Sequence, residues 1–153
     1  MCAEAVTGTL YLDDVKVGEV FRSREQSLDT EDVIAFAGRF DPQRFHLDDA
    51  AAKDTIFKGL AASGWHTAAI TMRLLVESMP LADGLIGAGV EITWPRPTRP
   101  GDTLRAETTI LDIRPSRSKP DQAMATLETL TYNQNGEIVQ RMQSKNVLYR
   151  RRG

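Results

Sequence analysis

Asp41-Pro42-Gln43-Arg44-Phe45-His46 sets a carboxylate and an imidazole five residues apart, in a stretch that a proline constrains. These are the side chain types most used to take up and return protons, and an imidazole ordinarily titrates near neutral pH. Held on a loop between helices, such a pair has the makings of an acid/base couple. The same residues also admit a plainer use, in which Asp41 caps a local turn and His46 packs beside Phe45. Further on, Ala62-Ser63-Gly64-Trp65-His66-Thr67 opens a long apolar run. Ser63 suits a helix N-cap, and the N–H groups of Gly64 and its neighbours would point beyond the helix end, toward a developing oxyanion. Glycine there would let a ligand approach the backbone closely. A simple capped helix start would use the same residues.

The elements that must position these groups follow from patterning. Val20 to Leu28 reads as a short strand. Asp29 or Thr30 then caps a helix whose apolar positions Val33, Ile34, Ala37 and Phe40 have helical spacing. Pro42 stops that helix, because a residue before proline is pushed out of the α region, and this leaves Asp41 at the helix end. A helical patch at Asp48 to Lys53 and a break at Gly59 precede the run from Ser63 to Met79. This run is apolar nearly all round, with a narrow polar stripe through His66, Arg73 and Glu77, and it is expected to be buried on most sides. Strands are predicted at Ile86 to Trp94, Thr103 to Ile113, Ala123 to Tyr132 and Ile138 to Tyr149. The turn signals between them are Arg99-Pro100-Gly101-Asp102, Pro115 to Asp121 and Asn133-Gln134-Asn135-Gly136. The result is an α+β fold, an antiparallel sheet of about five strands around one long central helix. With no repeat or linker in 153 residues, a single domain spanning 1–153 is expected.

Composition narrows the function classes. A formal net charge of −2 offers no field that gathers polyanions, so nucleic acid is not an expected partner; Arg150, Arg151 and Arg152 read as a solvated, solubilising end. Cys2 is the one cysteine, and with only His46 and His66 beside it neither a disulfide nor a His/Cys metal site is expected. Met1 to Leu10 lack a basic-then-apolar order and no stretch approaches ~20 apolar residues, so no membrane span and a cytoplasmic location are expected. Nothing implies a cofactor.

The spacing of Asp41 and His46, Ala52, the Ser63-Gly64 helix start, and Pro97-Thr98-Arg99-Pro100-Gly101-Asp102-Thr103-Leu104 between strands together resemble a MaoC-like dehydratase, the group that includes (R)-specific enoyl-CoA hydratases. The resemblance runs in matching order from about Val20 to Tyr149. It implies a hot-dog fold and a substrate carried as a CoA or carrier-protein thioester, with reversible addition of water to a trans-2-enoyl chain. It also implies that Asp41 and His46 hold the catalytic water and that the Gly64 N–H takes the thioester oxygen. The hydratase motif usually reads Asp-any-Asn-Pro-aliphatic-His; here Gln43, Arg44 and Phe45 fill the last three places before His46. Where the family often has a serine inside the central helix, this chain has Met72 beside Thr71.

Ser63, Trp65, Arg99 and Arg117 are the candidate substrate contacts, the arginines (with Arg96 and the loop Arg114 to Lys119) for CoA phosphates. His66 is read as a satisfied histidine on the polar face. Phe57 and Trp94 would fit an acyl pocket but serve equally as core. A homodimer or higher homo-oligomer is expected, because one curved sheet leaves strand edges unpaired. Two rival functions share these features: a hot-dog acyl-CoA thioesterase, and a non-catalytic acyl-CoA binding module.

Overall fold

Asp29 and Asp32 start the first helix by reciprocal bonding. The Asp29 side chain accepts the Asp32 N–H at 2.8 Å, and the Asp32 side chain accepts the Asp29 N–H at 3.0 Å. Helix α1 (Thr30–Phe40) then runs until Pro42 forbids another turn, and Asp41 is its C-cap. In the computed structural model, which describes residues 6–153, α1 is followed by the single turns α2 (Arg44–Leu47) and α3 (Asp49–Ala52) and by the long helix α4 (Gly64–Ser78). Cys2 lies outside the described residues.

Among the described residues six strands build one antiparallel sheet: β1 (Val20–Arg22), β2 (Gln26–Ser27), β3 (Ile86–Thr93), β4 (Thr103–Pro115), β5 (Gln122–Tyr132) and β6 (Ile138–Tyr149). The order is β1-β4-β5-β6-β3, with β2 also on β4. The α+β hot-dog arrangement expected from the sequence is therefore present, with one strand more. The segment Val20 to Leu28 is not one strand but two short ones. Between them Ser23 pairs with Ala106 through its N–H and accepts the Ala106 N–H on its hydroxyl, in place of a ladder bond. Gly101 (φ 90°) and Gly136 (φ 73°) supply the left-handed conformation that the turns after Pro100 and Asn135 require.

Two apolar clusters lie between the helices and the sheet. The larger contains Leu75 of α4 and its C-cap Met79 with Phe21, Ile110, Leu127, Met142 and Leu148; the smaller contains Leu28, Val33, Leu60, Ala62, Leu104 and Val139, with Ile70 of α4 packed against it. Buried hydroxyl pairs tie α4 down, Thr71 to Thr131 of β5 at 2.7 Å and Thr67 to Thr98, in the segment between β3 and β4, at 2.9 Å.

The central helix departs from expectation. It buries one side, with His66, Thr67, Thr71, Leu74 and Leu75, while Trp65, Met72 and Val76 face outward. His66 is buried and stacked on Phe36 of α1, with ring centroids 4.6 Å apart, so it is not part of an exposed stripe with Arg73 and Glu77. The basic end is also not merely solvated: Arg150 pairs with Asp13 at 2.9 Å, and Arg151 pairs with Asp14 at 2.7 Å and lies over the Tyr11 ring. The carboxylates of the 3-10 turn Leu12–Asp14, within reach of that end, explain the difference. Among the described residues no helix is long and apolar enough to cross a membrane.

Candidate active site

His46 is not on an open loop but on the one-turn helix α2, and it is buried. Its Nδ1 lies 2.6 Å from the carbonyl oxygen of Ala61. A carbonyl only accepts, so Nδ1 carries hydrogen and donates; in the neutral ring this leaves the Nε2 lone pair bare. Nε2 faces Asp41 Oδ2 at 3.4 Å. Phe45 stands edge-on to the imidazole and Phe57 tilts against both, which fixes the ring plane.

Asp41 is held from two sides. Gln43 Nε2 donates to its Oδ1 at 2.6 Å, and Ser63 Oγ donates to its Oδ2 at 2.7 Å. Burial pushes the Asp41 carboxyl up, but these two hydrogen bonds, with the attraction of His46 when its ring is protonated, outweigh it and hold the group below the usual carboxylate value. An ionised carboxylate oxygen and His46 Nε2 thus converge on one point. With the ring neutral both accept, and the ligand they then suit is a small donor of two hydrogens, such as water.

The N-terminus of α4 borders the same space. Ser63 takes the N–H of Trp65 on its hydroxyl and those of His66 and Thr67 on its carbonyl, which leaves the Gly64 N–H without an acceptor among the described residues. Asp41, His46, Gly64 and Trp65 line one cavity of about 490 Å³ together with Phe57, Thr67, Trp94 and Arg96. Its wall is mostly apolar, and Ile56 at its rim is 88% exposed.

Four expectations need amendment. Ser63 is fully buried and its hydroxyl donates to Asp41, so its observed contact is with the carboxylate it braces. Arg99 donates to the carbonyls of Phe57, Gly59 and Leu60, stapling that loop, and does not line the cavity. Arg117 lies beyond the far end of β4, a 13-residue strand spanning roughly 40 Å, whereas the cavity lies near its first residue. Arg96, paired with Glu137 at 3.1 Å, is the cation at the wall. Finally, Gly64 gives room to a side chain of this protein: a Cβ there would meet the Trp94 indole at 2.7 Å.

The three motif departures each have a use. Gln43 holds Asp41, Arg44 bonds Asp54 at 2.8 Å and the Ala51 carbonyl at 3.0 Å, and Phe45 packs on His46. Sequence reading missed Gln140, fully buried on β6, which accepts the Trp94 indole N–H at 2.9 Å. The available signal was an amide in the inward alternation of β6 with Met142 and Leu148.

Comparison with known proteins returns a consistent set. The family model described as "MaoC like domain" matches residues 14–133. The crystal structure of a MaoC-like dehydratase from Rhodospirillum rubrum is 56% identical, with a TM-score of 0.92, covering 94% of this chain and 99% of its own. The uncharacterised protein YdeM of Bacillus subtilis is 36% identical over 82% of this chain and 89% of its own length. An (R)-specific enoyl-CoA hydratase of R. rubrum is 28% identical over 70% of this chain and 74% of its own.

Proposed function

The chain belongs to the MaoC-like dehydratase family, and from that premise we propose that it adds water reversibly to a trans-2-enoyl thioester, giving a 3-hydroxyacyl thioester. The observation that carries this reading is the 3.4 Å approach of Asp41 Oδ2 and His46 Nε2 at the wall of a mostly apolar cavity that also holds the free Gly64 N–H. Water donating one hydrogen to each acceptor presents its lone pair to the β-carbon. As the C–O bond forms, one water proton passes to the pair and the π electrons move toward the thioester oxygen, where the Gly64 N–H and the α4 dipole meet the negative charge. The pair then returns the proton to the α-carbon, so the atoms of water are conserved in the product. Arg96 is the cation suited to a CoA phosphate at the mouth.

The test is hydration of trans-2-enoyl-CoA by purified protein, followed as loss of the conjugated enoyl absorbance. Release of free thiol from saturated acyl-CoA, without hydration, would move the assignment to a thioesterase. Thermal stabilisation by enoyl-CoA without turnover would move it to a binding module.

The active form in this reading is a homodimer of one-domain protomers in the cytoplasm. Strand β3 bonds β6 along one edge and has no strand at its other edge among the described residues; Val90 on it and Met72 on α4 are both exposed and apolar. Light scattering should give twice 17.0 kDa, and a fully active monomer at micromolar concentration would refute the dimer.

A further inference from the structure

The chain leaves the sheet at the end of β3 because Pro95 and Pro97 cannot donate to a ladder, and residues Trp94 to Thr98 then run consecutively along the cavity wall. The Ala62 N–H donates to the Thr98 carbonyl at 2.8 Å, which ties this segment to the chain entering α4. Trp94 is fixed within it at three points. Its N–H donates to Gln140 Oε1 at 2.9 Å. Its six-membered ring lies over the bare Cα of Gly64, where a Cβ would come within 2.7 Å of Cε2 and 2.9 Å of Cδ2 and Cζ2. Trp65 meets it edge-on at 5.5 Å.

The Gln140 bond identifies what the arrangement is for. An indole N–H only donates, so Gln140 must present its oxygen, and its amide Nε2 is left buried without a partner. Unpaired buried donors are costly and rare, and an apolar residue at Gln140 would fill the same space without that cost. Trp94 is also 40% exposed, so little core packing rewards the anchoring. What it secures is the angle of one aromatic plane inside the cavity, beside the Gly64 N–H.

We propose that Trp94, clamped between Gln140 and Gly64, is the residue that limits the size of the acyl group this site accepts, its indole standing as a fixed wall where the chain leaves the thioester carbonyl. The proposal rests on the enoyl-thioester reading above. Gly64 is glycine because Trp94 occupies the place of its side chain; Gln140 keeps the indole from swinging aside.

The experiment compares trans-2-butenoyl-CoA and trans-2-octenoyl-CoA as substrates, and butanoyl-CoA and octanoyl-CoA as ligands by calorimetry. Trp94→Ala should raise the octenoyl-to-butenoyl ratio of kcat/KM by at least about 10-fold, with the ligand affinity ratio moving the same way. Gln140→Leu, which keeps the indole and fills the amide's space, should move both ratios in the same direction by less. Gly64→Ala should destabilise the wild-type background and cost much less when combined with Trp94→Ala. Equal losses for both chain lengths in Trp94→Ala and Gln140→Leu, or a Gly64→Ala cost independent of Trp94, would overturn the proposal. Should wild-type protein hydrate neither enoyl-CoA, the enzymatic reading fails; the two affinity ratios and the stability cycle still decide the role of Trp94.

Discussion

Ser63 Oγ lies 2.7 Å from Asp41 Oδ2 while the same oxygen accepts the N–H of Trp65 at 3.2 Å. One hydroxyl therefore caps the central helix and orients the carboxylate, so the helix end and the proposed base move as a unit. Ser63→Ala should cost about 0.5–2 kcal/mol in denaturant unfolding, the usual loss for a removed cap. It should also lower kcat, and Ser63→Thr should restore part of both; an unchanged kcat would separate cap from carboxylate.

Asp41→Asn and His46→Gln should each lower kcat by about 10²-fold or more in protein that still folds. The double variant should be scarcely worse than either single one, since both groups act on one water. Additive losses in single-turnover assays would mean that they act in separate steps.

The held-down Asp41 carboxyl links stability to pH on the acid side. Its folded pKa lies below the ordinary value, so its ionised form contributes stability at pH above that ordinary value, and the contribution is lost as pH falls through the depressed one. Removing the Ser63 or Gln43 bond raises the folded pKa, so in Gln43→Ala this contribution to stability should begin to be lost at higher pH than in the wild type. Acid unfolding curves that coincide for the two proteins would exclude Asp41 as its origin.

His66 has the opposite chemistry with the same slope. Burial lowers its pKa against the opposing pull of Asp32, so protonation favours the unfolded chain. Stability should therefore be full above the unfolded value of roughly 6.5 and fall as pH drops from there toward the lowered folded one. In His66→Phe, which keeps a ring on Phe36, the melting temperature should depend less on pH between about 7.5 and 5. Parallel curves for the two proteins would dismiss this origin.

Arg99→Ala should unfold more easily, because three carbonyls of the 57–60 loop lose their donor, yet leave the salt dependence of KM for a CoA substrate unchanged. Arg96→Ala should do the reverse. An exchange of these phenotypes would return Arg99 to the phosphate role.

Local rules made much of this architecture legible. Asp29 as a cap, Pro42 as a stop, and period-2 strands after Leu85 come from residues adjacent in sequence, and α4 begins and ends within a residue of its signals. The convergence of Asp41, His46 and Gly64 was likewise accessible, as a motif in order. What stayed hidden depends on distant partners. His66 reads as surface because Arg73 and Glu77 share its stripe, and only Phe36 of another helix buries it. Arg99 sits in a charged turn, and nothing nearby in sequence reveals the carbonyls that consume it. Gly64 looks open to a ligand until Trp94, 30 residues later, is laid over it.

The threonine pairs beneath α4 have a mechanical consequence. A helix seated only on apolar side chains can slide or roll by a fraction of a turn at modest cost, because dispersion contacts are non-directional. Thr67 with Thr98 and Thr71 with Thr131 are directional, and any slip parts buried hydroxyls. The helix is thus keyed like a shaft: its rotational setting, and with it the direction of the Gly64 N–H at its start, is fixed by two side-chain bonds and not by packing alone.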